Sequence, residues 1–368
     1  MKKLLALLLT LILACGALPA IAEDVPSATG AVIEIEKYGH ALLDITIEDF
    51  TAAGFELGDI VTVQAGSYEG DMPYFNGYYV DKGEYMVRAY PGHTNIAVCI
   101  NYGKFAETAG VGVGDPVTIT LKEKAGALTL QEISNLVYTP DRDDYDSDAE
   151  FANFRPVATT GIALGTLYRS CSPVDNKQGR AACANALVEA AGVKTVMNMG
   201  NTEEELAGFF AAEDFVSDYY KSLYEAGSVI ALGMPVNFAS EEFAGGIVAG
   251  LTFLSGHETP YLVHCTEGKD RAGFASMILE ALMGASLDEI VADYMLSYEN
   301  YYHLDPVDDA EKYDMIAEKN VKEMLRAVAG LEKGAPLEGV DLQAAAEAYL
   351  TGNGMAQEAV DALKAKLG

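Results

Sequence analysis

Basic residues are scarce in this chain: 24 lysines and arginines stand against 55 aspartates and glutamates in 368 residues, a formal net charge of −31. A surface so acidic repels phosphate backbones, which excludes nucleic acid as a partner and requires any phosphate site to be a local positive pocket. Cysteine is sparse too. The five cysteines (Cys15, Cys99, Cys171, Cys183 and Cys265) have no framework spacing; this argues against a disulfide scaffold and for free thiols, with Cys171 and Cys183 the one pair that could bridge. Beyond the first 22 residues no apolar run is long enough to cross a membrane. Half of the residues are nonetheless hydrophobic, enough for a sizeable core, and the length suggests two domains.

Residues 1–22 join Lys2 and Lys3 to an apolar stretch, Leu4 to Leu13, and an Ala20-Ile21-Ala22 site. This is the pattern of a secretory signal peptide, so the mature protein is expected to be secreted from a bacterium or held at its surface. Leu11-Ile12-Leu13-Ala14-Cys15 also reads as a lipobox, which leaves lipidation at Cys15 open.

From 28 to 125 the chain turns to β-branched residues, glycine and tyrosine in alternating runs, the pattern of short strands. An internal repeat lies here: Ala53-Gly54 through Gly58-Asp59 and Val61-Thr62-Val63 is echoed by Ala109-Gly110 through Gly114-Asp115 and Val117-Thr118-Ile119. We expect a small β-barrel with pseudo-twofold symmetry. Asp59, Asp115, His40 and His93 have metal-ligand chemistry, but turn aspartates and isolated histidines are more often structural, and no metal is assigned. The acidic run 126–150 reads as a solvated linker, since its carboxylates do not follow EF-hand spacing.

A second domain is expected over 151–368. Ala181–Ala190 reads as a helix and Lys194–Asn198 as a parallel strand, and such alternation is the α/β signature. Another helix starts at Asn201 or Thr202, with acids in its first turn. The most informative stretch is His264-Cys265-Thr266-Glu267-Gly268-Lys269-Asp270-Arg271-Ala272-Gly273. It lies between a buried strand ending in Tyr261-Leu262-Val263 and an apolar helix over Phe274–Met283. Such a strand-to-helix turn aims successive N–H groups at one point beside the positive end of a helix dipole, an environment suited to a tetrahedral oxyanion. Gly268 permits a tight bend. Arg271 can give two parallel donors to phosphate oxygens, and Cys265 sits where the field favours thiolate, the nucleophile of phosphoryl transfer.

The whole string, in this context, resembles the phosphate-binding loop of the cysteine-based protein tyrosine phosphatase superfamily. Its Gly268-Lys269-Asp270-Arg271 core is most similar to that of the bacterial secreted tyrosine and phosphoinositide phosphatases. Asn153-Phe154-Arg155, Tyr168-Arg169-Ser170, the helix Ser286–Glu299 and the two tail helices over 344–367 also resemble that family, over about 150–368. The barrel lies outside it and is only faintly similar to the C-terminal barrel of the SAM hydroxide adenosyltransferase family.

The resemblance implies Cys265 as nucleophile, Arg271 with the N–H groups of 266–271 as the phosphate cradle, His264, Thr266, Glu267, Gly268, Lys269 and Ala272 as the residues around the bound phosphate, and His264 as a support of the thiolate. It implies no cofactor. In the better-known tyrosine phosphatases an upstream loop supplies an aspartate as general acid, but Leu232–Phe238 here contains no carboxylate. That moves the acid role to Asp270, whose alternative is a helix cap. Lys269 is implied to accept a second phosphate, or else it pairs with a neighbouring acid. Ala272 departs from the serine or threonine usual after the arginine, which implies a slower second half-reaction. The expected substrates are phosphotyrosyl proteins, phosphoinositides or soluble inositol phosphates. A protein that only binds phosphate ligands is the competing class.

Overall fold

The computed structural model describes residues 25–368; the leader read at 1–22, with Cys15, lies outside the described residues. The described residues divide into two compact units, one ending at 131 and the other over 132–368.

In the first unit the alternating runs form β1 (Ser27–Ile35), β2 (Ala41–Thr46), β3 (Ile60–Ala65), β4 (Tyr68–Phe75), β5 (Tyr85–Arg88), β6 (Asn95–Ile100) and β7 (Pro116–Glu123). They close into a barrel in the order β1-β2-β6-β5-β4-β3-β7. Closure removes the open edges that short strands otherwise expose. Short helices α1 (Ile47–Ala52) and α2 (Phe105–Ala109) precede β3 and β7, the two repeat strands, which pair antiparallel. The repeat has a physical basis. In each copy the turn aspartate accepts a main-chain N–H three residues upstream, Glu56 N to Asp59 and Gly112 N to Asp115, both at 2.8 Å. Asp59 and Asp115 are thereby occupied in building turns. Inside the barrel the Phe50 and Phe55 rings stack at 3.9 Å, with Tyr74 edge-on to Phe50.

The second unit contains α3 (Leu128–Ile133, straddling the boundary), α4 (Asp148–Phe151), β8 (Arg155–Pro156), β9 (Leu167–Ser170), α5 (Ala181–Ala190) and β10 (Thr195–Asn198). There follow α6 (Glu203–Phe210), α7 (Asp218–Glu225), β11 (Val229–Ala231), α8 (Glu241–Gly256), β12 (Tyr261–His264) and α9 (Asp270–Met283). The chain ends with α10 (Leu287–Tyr302), α11 (Ala310–Ala317), α12 (Glu323–Val328), α13 (Leu342–Gly352) and α14 (Gln357–Leu367). The sheet order is β11-β10-β12-β9-β8. All neighbours are parallel except β8, which runs antiparallel to β9.

Side chains alternate across this sheet. Met197, Tyr261 and Val263 pack with Ile247 of α8 and Phe274 of α9, whereas Val196 and Leu262 pack with Leu206 of α6 and Tyr220 of α7. Helices therefore cover both faces, and β12 lies at the centre. Two helix starts follow the capping-box rule, with Thr202 and Glu205 opening α6 and Ser286 and Glu289 opening α10.

The stretch expected as a solvated linker, 126–150, is partly folded. Its tyrosines anchor it: Arg180 donates to the Thr139 carbonyl and the Tyr145 hydroxyl, and also to the Phe151 carbonyl. Cys171 and Cys183 do not bridge; Cys99, Cys171, Cys183 and Cys265 are all free thiols. Among the described residues no helix is long and apolar enough to cross a membrane.

Candidate phosphate-binding site

The loop from Cys265 to Lys269 joins the C-terminal end of the central strand β12 to the N-terminus of α9. α9 is almost entirely buried, from Ala272 to Leu282; its residues there are apolar except for Ser276 and Glu280, which are buried as well. Among the described residues, the N–H groups of Thr266, Glu267, Gly268 and Lys269 donate to no main-chain acceptor. With the first-turn N–H groups of α9 they form a cluster of unmet donors at the positive end of a helix dipole.

Two glycines make the bend possible. Gly268 has φ +70°, and an added Cβ would run into the Ser170 carbonyl and lie 2.7 Å from Cys171 N. At Gly273 a Cβ would fall 2.7 Å from the Tyr294 ring and 3.0 Å from an Arg169 nitrogen. Only glycine lets the loop lie against β9 and lets α9 lie against α10.

The loop carbonyls are held from behind. Arg169, completely buried, donates to Gly268 O at 2.9 Å and Lys269 O at 3.0 Å. Its other nitrogen meets Asp293 at 2.6 Å. Arg155 bonds the second Asp293 oxygen at 3.0 Å and the Asn153 side chain at 2.7 Å. Asn153 in turn donates to Glu267 O at 3.1 Å, and Tyr301 donates to the same carbonyl at 2.7 Å. With the carbonyls turned outward to these donors, the loop N–H groups face the opposite way. Burial by itself would raise the Asp293 pKa, but Arg155 and Arg169 outweigh it and hold the carboxyl below its usual range.

On the cradle side, Arg271 curls back to donate to Met199 O at 3.1 Å, Met234 O at 2.8 Å and Thr266 Oγ1 at 3.1 Å. This fixes its guanidinium beside the loop and ties down Leu232–Phe238, the segment without a carboxylate. Cys265 is buried, with 3% exposed. His264 is fully buried. Its Nε2 meets the Tyr220 hydroxyl at 3.2 Å and its Nδ1 the Cys265 carbonyl at 3.3 Å. Burial, helped by the nearby Arg271 charge against the Cys265 bond, lowers the His264 pKa to about 3, so the ring is neutral.

Asp270 opens α9, 3.4 Å from the Tyr294 hydroxyl. Burial raises its pKa, with Lys269 opposing and Glu267 adding to the rise. Lys269 pairs with Glu267 at 3.3 Å and donates to Tyr302 at 3.1 Å. Burial alone would lower the Lys269 pKa, but Asp270, Tyr298, Glu267 and Tyr302 outweigh it and raise it. Glu267 also accepts from Tyr138 at 2.8 Å, so its side chain is turned toward these partners. Ala272 is fully buried, and its methyl belongs to the core.

The loop thus brings His264 through Arg271 together. Arg155 and Arg169 stand in the sequence only as parts of family-like motifs, and Tyr138 carries no signal there. Each acts through a partner more than 90 residues away, a relation that no local pattern reveals.

The chain matches the tyrosine phosphatase family over residues 150–368. It is 53% identical over 36 residues to a Cupriavidus necator protein provisionally named a tyrosine-protein phosphatase, a match covering 10% of this chain and 13% of that protein. A crystal structure of an uncharacterized conserved protein from Thermotoga maritima aligns with 26% of this chain and 37% of its own, at 21% identity and a TM-score of 0.24. The family and the named relative support a phosphoric monoester hydrolase. Residues 150–368 are more than half of the chain, and the chain belongs to the tyrosine phosphatase family.

Proposed function

We propose that the protein is an exported, cysteine-dependent phosphatase that hydrolyses phosphotyrosine or phosphoinositide monoesters through a cysteinyl-phosphate intermediate. The observation that carries this reading is the set of unmet loop N–H groups around Cys265, with Arg271 fixed beside them. In the first step the Cys265 thiolate attacks phosphorus and the bond to the leaving oxygen breaks. Asp270 gives its proton to that oxygen. In the second step water attacks the cysteinyl phosphate, Asp270 takes a proton from the water, and the thiolate departs as phosphate is released. Arg271 and the loop N–H groups stabilise the equatorial oxygens throughout.

The raised Asp270 pKa supports its acid role, since a proton donor must still hold its proton near the working pH. Lys269 suits a second phosphate only by exchanging Glu267 for it, which extends the reading to soluble inositol phosphates. The absence of a hydroxyl at Ala272 favours a second reading, a protein that grips phosphate esters and turns them over weakly.

The test is phosphate release by the mature protein from phosphotyrosyl peptides, phosphoinositides and phytate, with Cys265→Ser as the blank. Cysteine-dependent release from any of them supports the enzyme and identifies the substrate class. No release, while both proteins still bind phosphate esters, would establish the binder instead.

A further inference from the structure

The barrel has a cleft of its own, about 380 Å³ in volume. Tyr38, Tyr78 and Tyr90 line it, with 66%, 38% and 41% of their surfaces exposed. Arg88 and His40 line it too, but these are only 5% and 4% exposed. A buried guanidinium in the wall of a small barrel is costly unless its donors are met. Arg88 meets Glu36 at 3.0 Å and the Tyr78 hydroxyl at 2.9 Å, and the same hydroxyl meets His40 Nε2 at 3.2 Å. Two nitrogens in this cluster, Arg88 Nε and His40 Nδ1, have no partner. Both atoms are closed off from solvent, so the polar groups that a ligand in the cleft can reach are those of Glu34, Glu36, Lys37 and Tyr78, which are exposed or half-buried.

The remaining walls narrow the ligand. Glu34 and Glu36 oppose an anion, and Lys37 and Arg88 oppose a cation. Burial, then the Arg88 charge, keeps the His40 pKa below its usual value against Glu36, so His40 adds no charge near neutral pH. The four charges balance. An apolar ligand would cover these groups without bonding them. What fits is a neutral molecule carrying hydroxyls around its edge and C–H bonds on a face. The negative face of a tyrosine ring attracts such C–H bonds. The Arg88 guanidinium lies over the Tyr90 ring, 5.6 Å from its centre, and His93 stands 5.4 Å away, which fixes the ring while 41% of the Tyr90 surface stays exposed to the cleft. We propose that this cleft binds a neutral saccharide, one ring against the exposed surface of Tyr90 and its hydroxyls shared among Glu34, Glu36, Lys37 and the Tyr78 hydroxyl.

The experiment titrates the full mature chain, followed by NMR, with glucose, galactose, xylose, N-acetylglucosamine and β-1,4-linked oligomers of glucose and N-acetylglucosamine. Adenosine and inorganic phosphate serve as comparisons. Saturable binding of at least one sugar is expected, weakened about tenfold or more by Tyr90→Ala. Tyr90 is partly exposed, so the variant is expected to fold, and its amide spectrum checks this directly. A Tyr38→Ala variant gives a second reading if Tyr90→Ala does not fold. The proposal is overturned if no sugar saturates the site, if both variants bind as tightly as the parent, or if only adenosine or phosphate binds.

Discussion

Arg169 and Asp293, 124 residues apart in sequence, form a buried ion pair at 2.6 Å. The other terminal nitrogen of Arg169, Nη2, holds the carbonyls of Gly268 and Lys269. Since Asp293 also neutralises Arg155, removing it strands two buried cations. Asp293→Ala is expected to cost about 3–5 kcal/mol in urea unfolding, with phosphatase activity lost as the loop carbonyls come free. Stability within ~1 kcal/mol of the parent would show that the network is not what secures the loop.

Gly268→Ala places a methyl group against the Ser170 carbonyl at φ +70°. The backbone conformation alone costs about 1–2 kcal/mol for an L-residue, and the clash adds to it. We expect vanadate or phosphate binding to weaken at least tenfold, a loss of about 1.4 kcal/mol. Unchanged anion affinity would mean that the bend is not part of the cradle.

His264 is neutral in the fold, with its pKa lowered to about 3 from an ordinary value of 6.5. Between those two values the unfolded chain binds more protons than the folded one, so stability must fall as pH drops through that range. From pH 6.5 to 5 the loss is about 2 kcal/mol for this one site. Urea unfolding at several pH values checks the slope, and His264→Gln should flatten it. If that variant proves unstable, proton NMR of the imidazole in the parent gives the pKa directly.

Asp270→Asn should lower kcat/KM, which reports the first step, about 10²–10⁴-fold for alkyl phosphates, whose leaving oxygen needs a proton. Far less loss is expected for p-nitrophenyl phosphate. Because burial raises the Asp270 pKa, the parent should keep activity at higher pH than a solvent-exposed carboxyl would allow, and the variant should lose that alkaline limb. Equal losses on both substrates would assign the acid role elsewhere.

Ala272→Ser restores a hydroxyl one residue after Arg271. Rapid-quench kinetics of the parent should show cysteinyl phosphate accumulating, and the variant should show less of it with faster steady-state turnover. No accumulation in the parent would mean that the second step needs no such hydroxyl.

The candidate loop was legible because its chemistry is compressed into consecutive residues, from His264 to Arg271. The α/β elements of the second unit were legible for similar reasons, since Thr202 with Glu205 and Ser286 with Glu289 are local signals. So were the repeat turns at Asp59 and Asp115. What supports the loop was not. Asn153, Arg155, Arg169 and Asp293 meet only after the sheet and α10 are assembled, and a buried arginine reads in sequence like an exposed one. The stretch 126–150 was legible in part. Its aspartates, Asp141 to Asp148, are exposed as their charge suggests, whereas the bonds of Tyr138 and Tyr145 to distant partners have no local signal.

β12 is bordered by β10 and β9 and covered by helices on both faces. Its amides therefore belong to the part of a domain that exchanges with solvent only when the domain opens as a whole. The loop that begins at Cys265 is anchored directly to that strand. Its carbonyls, however, rest on Asn153, on Tyr301 of α10 and, through Arg169, on Asp293 of the same helix, so the cradle lasts only while α10 stays docked, and detachment of that helix would open the site before the sheet itself gives way.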